Sequence, residues 1–589
     1  MVEVNQFKKW MDYNLRTRTI FLLGLLGLTT VLGIGSSTSP PLALVVEGDQ
    51  ALLDLGLPGS GSLTSPFILT LTDPTLAVTL LHLTLHLSIQ GSTLNHLYTF
   101  NITSGHLKVL NSQISVAHLV HSPGTLVRNS TFHSSTSALV VDNSNEVRVS
   151  NSSFSTSFIG LEVVDSPSVR VEDSTFSSTN QGIVSRNSSL SISGSSFTSN
   201  QLALLTSLGS DLTLSDSVFQ DNQGDIYLTD HSSSNLSGNS FTGSLDVEYA
   251  SATFDLNSFS GSQVTFFQSA AVVVTDNHFS GGSVHVLAGS DDLFVNNSFT
   301  DCPLTIQSST NQSIQSNQWV FNTTATGLDL IDSSGVINDN SFTNSGVGLV
   351  DSLFSPHAYQ FSNNQVNGLP LGFYAGINHT VLSEPHGQLI LLATSSVSVI
   401  NQSIHSTAPA GIQILNSTGV IISRSNLTNN YNGLSLTNSS LGEVSYNNFT
   451  GQVSYAIALS QDTSNITFHH NNFSSNNPSG VQVLDDGVNN IWYVAEEGNY
   501  WSDLSGRTTY PTAGSAGSVD LHPLLIPTTF PLTTTSTTLP TNTTDSRTGG
   551  EEGRSRWLAP VLLGSILLFV SLGLVVLLKG FSFSFKIGK

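Results

Sequence analysis

The sequence NGLSLTNSSLGEVSYNNFT, residues 432–450, carries a pattern that recurs along most of the chain. Apolar residues alternate at Leu434 and Leu436, an Asn-Ser turn follows, and the phrase ends on Phe449. Similar phrases end, at steps of 18 to 22 residues, on Phe132, Phe154, Phe176, Phe197, Phe219, Phe241, Phe259, Phe279 and Phe299. A fixed period of this length indicates a repeat architecture.

The period predicts an all-β fold, a single-stranded right-handed parallel β-helix with about 22 residues per coil. Each unit holds short apolar runs separated by Gly, Ser, Asn and Asp, without helical spacing. Each strand would pair with its copy one coil later, about 4.8 Å away, and parallel crossovers are right-handed. The recurrent phenylalanines should stack inside, and bends are expected at Asp165, Asp230, Asn416, Asn438 and Asp462. An antiparallel sandwich is the alternative fold.

Composition limits the class of protein. The 589 residues carry a net charge of −23, although only 10% of them are charged. This acidic balance argues against a nucleic-acid partner, which requires a basic face. The single cysteine, Cys302, excludes an intramolecular disulfide and is interpreted as a small buried apolar residue.

The order of segments is typical of a cell-surface protein with one membrane span. Basic residues followed by an apolar run predict an export signal, with an uncleaved anchor as the alternative. A run of 22 uncharged residues predicts a C-terminal transmembrane helix, followed by lysines on the cytoplasmic side. The predicted segments are a signal peptide (1–35), the β-helix (42–526), a Thr/Pro-rich stalk (527–556), the transmembrane helix (557–578) and a cytoplasmic tail (579–589).

Two irregular places are expected within the β-helix. The repeat spacing is least clear after Val366, and a loop is predicted to leave the coils near Glu384-Pro385-His386. Residues 492–526 concentrate aromatic side chains and are the candidate cap of the last coil, whose strand edges would otherwise be exposed.

Several phrases resemble a known family. The opening segments VVEGDQ (45–50) and GLPGSGSLTSPFIL (56–69), the NNSF, YNNF and HNNF coils, and the closing EGNYWSDL (497–504) are similar to archaeal cell-surface proteins with NosD-type right-handed β-helix repeats. The resemblance implies the fold, within a wider group of carbohydrate-binding and sugar-hydrolase β-helices. It implies a biochemical role only weakly, because function resides in sites and not in folds.

The histidines do not indicate a metal site, and no cofactor is expected. His82 and His86 are too far apart on a strand to share an ion, and His469 and His470 would point to opposite faces if extended. Methionine occurs only near the N-terminus, so a thioether site for copper is not expected.

Carboxylates and arginines offer few candidates for catalysis. The adjacent pairs Asp291-Asp292 and Asp485-Asp486 are interpreted as solvated bends. Arg148 and Arg170 occupy the same phrase position and should stack on adjacent coils, either as contacts for an anion or sugar or as part of a surface ion-pair ladder. No catalytic residue is predicted.

These observations favour a membrane-anchored surface scaffold or adhesin that binds glycans without catalysis. A polysaccharide lyase, hydrolase or epimerase is the alternative function, and a metal-related role like that of NosD is the third. No sequence feature defines a ligand or an oligomeric state.

Glycosylation is predicted at Asn-x-Ser/Thr sequons in bends and in the stalk. Asn416 and Asn438 lie at the bend position, and Asn542 lies in the stalk. Asn448 and Asn472 directly precede an inward phenylalanine, and they are expected to be buried or half-buried and unmodified.

Overall fold

The computed structural model describes residues 43–230, 232–350 and 358–529. The described chain is a parallel β-solenoid built from three sheets, which confirms the predicted all-β repeat fold. Each coil contributes one strand to each sheet, and each strand pairs in parallel with its copy in the next coil. The predicted signal peptide, the transmembrane helix, the cytoplasmic tail and Asn542 lie outside the described residues.

Sheet 1 holds the longest strands. They are Ala43–Glu47, Ala77–Leu81, Thr93–Phe100, Gln113–Val120, Ser137–Asp142, Ile159–Val164, Gln181–Arg186, Leu202–Ser207, Gly224–Leu228, Ser244–Glu248, Gln263–Phe267, Ser283–Leu287, Leu304–Gln307, Leu328–Ile331, Val347–Val350, Leu369–Ala375, Gln388–Leu392, Ala410–Leu415, Asn432–Thr437, Ile457–Leu459 and Val483–Asp485.

Sheet 2 follows sheet 1 in each coil. Its strands are Phe67–Leu69, Leu87–Gln90, Leu107–Leu110, Leu126–Arg128, Arg148–Ser150, Val169–Glu172, Ser189–Ser193, Asp211–Ser215, Ser233–Ser237, Ser251–Asp255, Val273–Thr275, Leu293–Val295, Gln312–Gln315, Gly335–Asn338, Tyr359–Ser362, Val381–Leu382, Ser398–Ile400, Ile421–Ser423, Glu443–Ser445 and Thr467–His469.

Sheet 3 carries the repeated phenylalanine. Its strands are Thr131–His133, Ser153–Ser155, Thr175–Ser177, Ser196–Thr198, Val218–Gln220, Ser240–Phe241, Ser258–Ser260, His278–Ser280, Ser298–Thr300, Gln318–Val320, Ser341–Thr343, Gln365–Val366, Ser403–His405, Asn426–Thr428, Asn448–Thr450, Asn472–Ser474 and Tyr500–Trp501.

The first coil begins with a short helix that the sequence did not indicate. Ala43–Glu47 leads into the α-helix Gly48–Asp54, which buries Leu52 at the start of the solenoid. The Asp49 carboxylate accepts hydrogen bonds from the backbone N–H groups of Thr84 and Leu85. The helix therefore covers the edge of the first coil, whose strand edges would otherwise be exposed.

The phenylalanines of sheet 3 form the predicted ladder in the interior. Phe132 to Phe219 are almost fully buried, and their rings stack in succession with centroids 4.6 to 4.9 Å apart. The ladder continues through Trp319 to Phe342. Burial of each ring contributes roughly 1.5–3 kcal/mol to the stability of the fold. The repeated phenylalanines are therefore the main contributors to the hydrophobic core.

Polar rungs fill the inner corner between sheets 2 and 3. At this corner a backbone N–H donates to the side-chain oxygen of the equivalent residue one coil later. The rungs are serines in one series, Ser92, Ser112, Ser130, Ser152, Ser174, Ser195 and Ser217. They become asparagines in the next series, Asn239, Asn257, Asn277, Asn297, Asn317, Asn340 and Asn364.

The predicted bends are mostly confirmed by backbone geometry. Asp165, Asp230, Asn416 and Asn438 have φ values between 46° and 57°, the left-handed region that Asn and Asp tolerate. Asp462 has no positive φ. The coil that contains it instead closes through the Thr463 N–H, which donates to the Ser460 carbonyl.

The solenoid is interrupted after Val366, but not at the predicted place. Gln365–Val366 pairs antiparallel with the start of Leu369–Ala375, so the chain reverses and starts a second stack of coils. The chain does form a loop with exposed Glu384 and Pro385 at the predicted place, but the loop does not leave the coils, because His386 is buried and bonds to Tyr374 and Gln402. Gly387 approaches the Val366 backbone so closely that a side chain would not fit there.

The aromatic segment after residue 492 covers the last coil, as expected. Trp501 is buried between Phe473 and Tyr510, with ring centroids 4.3 and 3.9 Å away. Its indole Nε1–H donates to the buried Asp520 carboxylate at 2.9 Å. Two short antiparallel strands, Tyr510–Pro511 and Val519–Asp520, hold this cap together.

Candidate functional site

A polar groove runs along the corner where the chain passes from sheet 3 to sheet 1. It has a volume of about 560 Å³ and spans three consecutive coils. Its lining residues are Ser178, Thr179, Asn180, Ser199, Asn200, Gln201, Asp221 and Gln223. The groove follows the repeat, so each coil presents its equivalent residues side by side.

The floor of the groove is a buried hydrogen-bonded ladder. The Thr179 N–H donates to Asn200 Oδ1 at 3.0 Å, and the Asn200 N–H donates to Asn222 Oδ1 at 2.8 Å. The Asn222 amide then donates to buried Asp225, whose carboxylate also accepts the N–H of Gly243. Burial raises the pKa of Asp225. The polar groups of this ladder hydrogen-bond to one another, so the floor is rigid. The rims of the groove remain to contact a ligand.

One rim consists of short polar residues forced outward by the turn. Ser178, Ser199 and Asp221 have φ values of 54°, 56° and 54° and are exposed. This left-handed conformation closes the corner between two strands within one residue. Asp221 is the one charged residue that lines the groove.

The other rim is a column of amides that begins with an exposed aromatic ring. The strand register aligns Phe158, Asn180, Gln201 and Gln223 on four successive coils. Phe158 is 50% exposed, and Gln201 and Gln223 are exposed as well. An aromatic face beside planar amide donors and acceptors offers both an apolar contact and hydrogen bonds to hydroxyl groups.

A second group of polar residues lies on the outer face of sheet 1. Tyr227 donates to the Glu248 carboxylate at 2.8 Å. Asp246 shares this face with Glu248, and burial raises its pKa to about 6, although a hydrogen bond from Thr265 opposes the shift. This Asp246 carboxyl therefore retains a proton more readily than an ordinary aspartate near neutral pH.

The arginines singled out in the sequence lie where the repeat predicts. Arg148 and Arg170 are partners in the strand register of sheet 2. Arg148 pairs with Glu172 at 3.0 Å, which is the predicted ion pair. Arg170 is exposed and makes no ion pair with the described residues.

The histidine pair at the last coil differs from the expectation. His470 has a φ of 57°, so the chain turns and His469 Nδ1 lies 2.8 Å from His470 Nδ1. The outer nitrogens face carboxylates, with His469 Nε2 3.3 Å from Glu443 and His470 Nε2 2.9 Å from Glu497. Burial is the main cause of a lowered pKa at His469. The expectation that the two histidines point to opposite faces failed because it assumed an extended backbone, whereas the backbone turns at His470.

No group of three His, Cys, Asp or Glu side chains in residues 43–230, 232–350 and 358–529 has a metal-binding arrangement. The carboxylate pairs are only in part the solvated bends that the sequence predicted, because Asp291 is exposed at a bend with a φ of 59° while one member of each pair is buried. Asp292 is buried and accepts the Val272 N–H and the Gln312 amide. Asp485 is buried and accepts the Trp492 indole N–H at 3.0 Å. Asp292 therefore binds both neighbouring coils, whereas Asp485 binds groups within its own coil.

The glycosylation candidates have unequal surroundings. Asn416 is exposed, whereas Asn438 is half-buried and its Nδ2 donates to Asn416 Oδ1. Asn448 is half-buried and donates to Asn426. Asn472 is buried, and its amide makes two hydrogen bonds to the backbone of Thr528. These environments leave the Asn416 amide the most accessible of the four.

No sequence pattern pointed directly to the groove or to the acidic group on sheet 1. Phe158 interrupts the polar bend that follows the Phe154 phrase, and an apolar residue in a polar turn was the available sign. Asp246 alternates with Leu245 and Val247 in an ordinary strand pattern. Its burial depends on neighbouring coils and could not be read from its own phrase.

The chain belongs to the right-handed β-helix family. The family model for the right handed beta helix region matches residues 114–259, 245–366 and 372–494, which together exceed half of the chain. This match confirms the predicted handedness. No curated protein matches the chain. Within residues 43–230, 232–350 and 358–529, no helix has the length and apolar character needed to span a membrane.

Solved structures similar to this chain include two alginate-modifying enzymes. The A-module of the mannuronan C-5 epimerase AlgE6 of Azotobacter vinelandii is 12% identical, covers 49% of this chain and 90% of its own, and has a TM-score of 0.29. The PL6 family alginate lyase AlyGC is 12% identical, with 78% and 84% coverage and a TM-score of 0.29. These likenesses concern the fold alone.

Proposed function

We propose that this protein is a cell-surface scaffold that binds glycans in the groove between sheets 3 and 1 without cleaving them. The observation that carries the proposal is the exposed ring of Phe158 at the head of the amide column Asn180, Gln201 and Gln223. Sugar rings present an apolar face and a rim of hydroxyl groups, and the Phe158 ring and the amide column match these two properties. The rigid floor reduces the entropy cost of ordering the site on binding.

Surface anchoring is part of the same proposal and is supported by the sequence. An apolar run at 557–578 follows a Thr/Pro-rich stalk, and basic residues follow the run. The finer resemblance to NosD-type archaeal surface proteins is supported by the phrase at 497–504. Protease added to intact cells should remove residues before the stalk and leave a short protected C-terminal fragment. A fully protected β-helix would refute the anchoring.

The binding test is a glycan array probed with the full chain and with Phe158→Ala. Burial of the exposed half of a phenylalanine ring against a sugar contributes about 1–1.5 kcal/mol, which corresponds to a loss of roughly tenfold in affinity. Gln201→Ala should weaken the same ligands by a smaller factor, because it removes hydrogen bonds partly replaced by water.

Tyr431→Ala is the matched control, since Tyr431 is 42% exposed and lies away from the groove. It should leave the affinity unchanged. If no glycan binds, or if Tyr431→Ala reduces binding as much as Phe158→Ala, the groove is not the binding site.

An enzymatic role on polysaccharides is the second candidate, and the Asp246 carboxyl favours it. A carboxyl with a pKa of about 6 can act as a general acid near neutral pH, and Glu248 lies on the same face of the strand. The full chain would be incubated with a polysaccharide panel, and new reducing ends and unsaturated products would be measured. Turnover that Asp246→Asn abolishes, and exposed Asp211→Asn does not, would replace the scaffold proposal.

A further inference from the structure

Four of the seven Lys and Arg residues in the described ranges of this acidic chain lie on one face. The 17 Lys and Arg residues are outnumbered by 40 Asp and Glu. Those in the described ranges are Lys108, Arg128, Arg148, Arg170, Arg186, Arg424 and Arg507. The first four lie on consecutive strands of sheet 2. We call their outer surface the basic face.

The strand register sets the geometry of the basic face. Lys108 aligns with Leu126, Leu126 with Arg148, and Arg148 with Arg170. Arg128 lies two residues along the strand from Leu126 and belongs to the adjacent column. At about 4.8 Å per coil, the cations extend roughly 14 Å parallel to the axis of the solenoid. The face is a line of charges and not a pocket.

Few of these charges are neutralised within the described residues. Arg148 pairs with Glu172, whereas Lys108, Arg128 and Arg170 make no ion pair with any described residue. Glu146 and Asp173 lie in the flanking turns and form no ion pair with them. Stacking like charges on adjacent strands destabilises a sheet, and an external anion would relieve that cost.

We propose that the basic face binds an acidic polysaccharide lying parallel to the solenoid axis. Carboxylate or sulfate groups that repeat along such a chain would meet Lys108, Arg148 and Arg170 in turn, with bidentate contacts at the arginines. Half-buried Leu110 and Leu126 lie between the cations and provide apolar contacts for the sugar rings. This site is separate from the groove, which contains no cation.

The same observations disfavour a nucleic acid as the occupant. The outward positions beside the basic residues hold Gln90, Leu110, Leu126 and Glu172, and none of them is aromatic. Single-stranded nucleic acids bind through aromatic platforms on which the bases stack.

The test measures binding of the full chain in detergent to polygalacturonate, dextran sulfate, neutral dextran and oligothymidylate over a range of salt concentrations. The two acidic polysaccharides should bind, and neutral dextran should not bind at this face. Arg128→Gln with Arg170→Gln should weaken binding at least tenfold. Each lost contact should also reduce the slope of log affinity against log salt concentration by about one.

Arg424→Gln is the matched control, because Arg424 lies in the second stack. It should change neither the affinity nor the salt dependence. Phe158→Ala should also leave acidic polysaccharide binding intact, which separates this proposal from the groove. Equal binding of oligothymidylate, no binding of either acidic polysaccharide, or equal losses in Arg424→Gln would overturn the proposal.

Discussion

The serine coils and the asparagine coils differ in how their side chains hydrogen-bond at the inner corner between sheets 2 and 3. In the serine coils, with rungs from Ser92 to Ser217, each hydroxyl accepts one backbone N–H and donates to a carbonyl of its own coil, as Ser152 does to the Ser150 carbonyl. In the asparagine coils, with rungs from Asn239 to Asn364, each amide accepts the N–H and also reaches the previous coil. Asn297 donates to the Val274 carbonyl at 2.8 Å and to Asn317 Oδ1 at 2.9 Å.

The two regions also differ on the outside. The groove and the basic face both lie on the serine coils. The outward, half-buried carboxyls whose pKa is raised by burial, Asp246 and Asp329, lie on the asparagine coils. The corner requires one side-chain hydrogen-bond acceptor per coil, and either serine or asparagine provides it. The outer surface is therefore free to specialise while the interior repeats.

Phe219→Ala should have the largest effect, because Phe219 lies at the boundary between the two series. Its ring stacks on Phe197 at 6° but is tilted by 32° from Phe241. Loss of a buried ring should lower the free energy of unfolding by about 3–5 kcal/mol, measured by urea titration. Phe158→Ala, at an exposed ring, should change it by less than about 0.5 kcal/mol. Similar losses in both variants would contradict the assignment of inside and outside.

Asn297→Ala should cost more than Ser152→Ala, and this pair tests the comparison directly. The asparagine variant leaves the Asn277 N–H and the Val274 carbonyl without their partners, a loss of about 3 kcal/mol. The serine variant leaves only the Ser130 N–H, a loss of about 1 kcal/mol. Urea titrations of the two variants measure the difference, and equal losses would show that the extra amide bonds do not stabilise the asparagine coils.

Asp292→Asn should stabilise the protein at pH 7 by about 3 kcal/mol and have little effect at pH 4. The folded pKa of Asp292, about 6, lies above the usual 3.8 because of burial. The stability that this carboxyl provides is therefore present below pH 4 and lost as the pH rises to about 6. The new amide could also donate to Gln312 Oε1, which is buried without a partner.

Urea titrations at the two pH values measure the Asp292 effect, with Asp291→Asn at the exposed neighbour as control. A pH-independent gain in Asp292→Asn, or the same gain in Asp291→Asn, would assign the effect to something other than titration of the buried carboxyl.

Glycosylation should change stability least, since its sites lie outside the core. We expect modification at the bend and stalk sites Asn416, Asn438 and Asn542, and none at Asn448 or Asn472. Asn416 should have the highest occupancy within the coils, because its Nδ2 is exposed while that of Asn438 is hydrogen-bonded. Site-resolved mass spectrometry of native protein checks this, and glycan on Asn448 and Asn472 alone would reverse it.

The repeat made most of the fold predictable. Each phrase places its phenylalanine inward at the same position, so each ring stacks on the ring of the next coil. The register of Arg148 with Arg170 therefore followed from spacing alone. The expectations failed where a non-repeating contact decides the structure. The helix Gly48–Asp54, the reversal after Val366 and the buried His386 all depend on how the ends of a stack are covered. A local pattern does not contain that information.

The sequence by itself determined the all-β repeat, the interior phenylalanines and the position of each residue within its coil, because a solenoid repeats the same local choices at a fixed period. Only the tertiary structure decided which outward residues become neighbours in a groove, such as Asn180 and Gln201, and which carboxyls are removed from water, such as half-buried Asp246 and buried Asp292. Those properties depend on side chains about 20 residues away along the chain, whose combined size and charge set exposure and pKa.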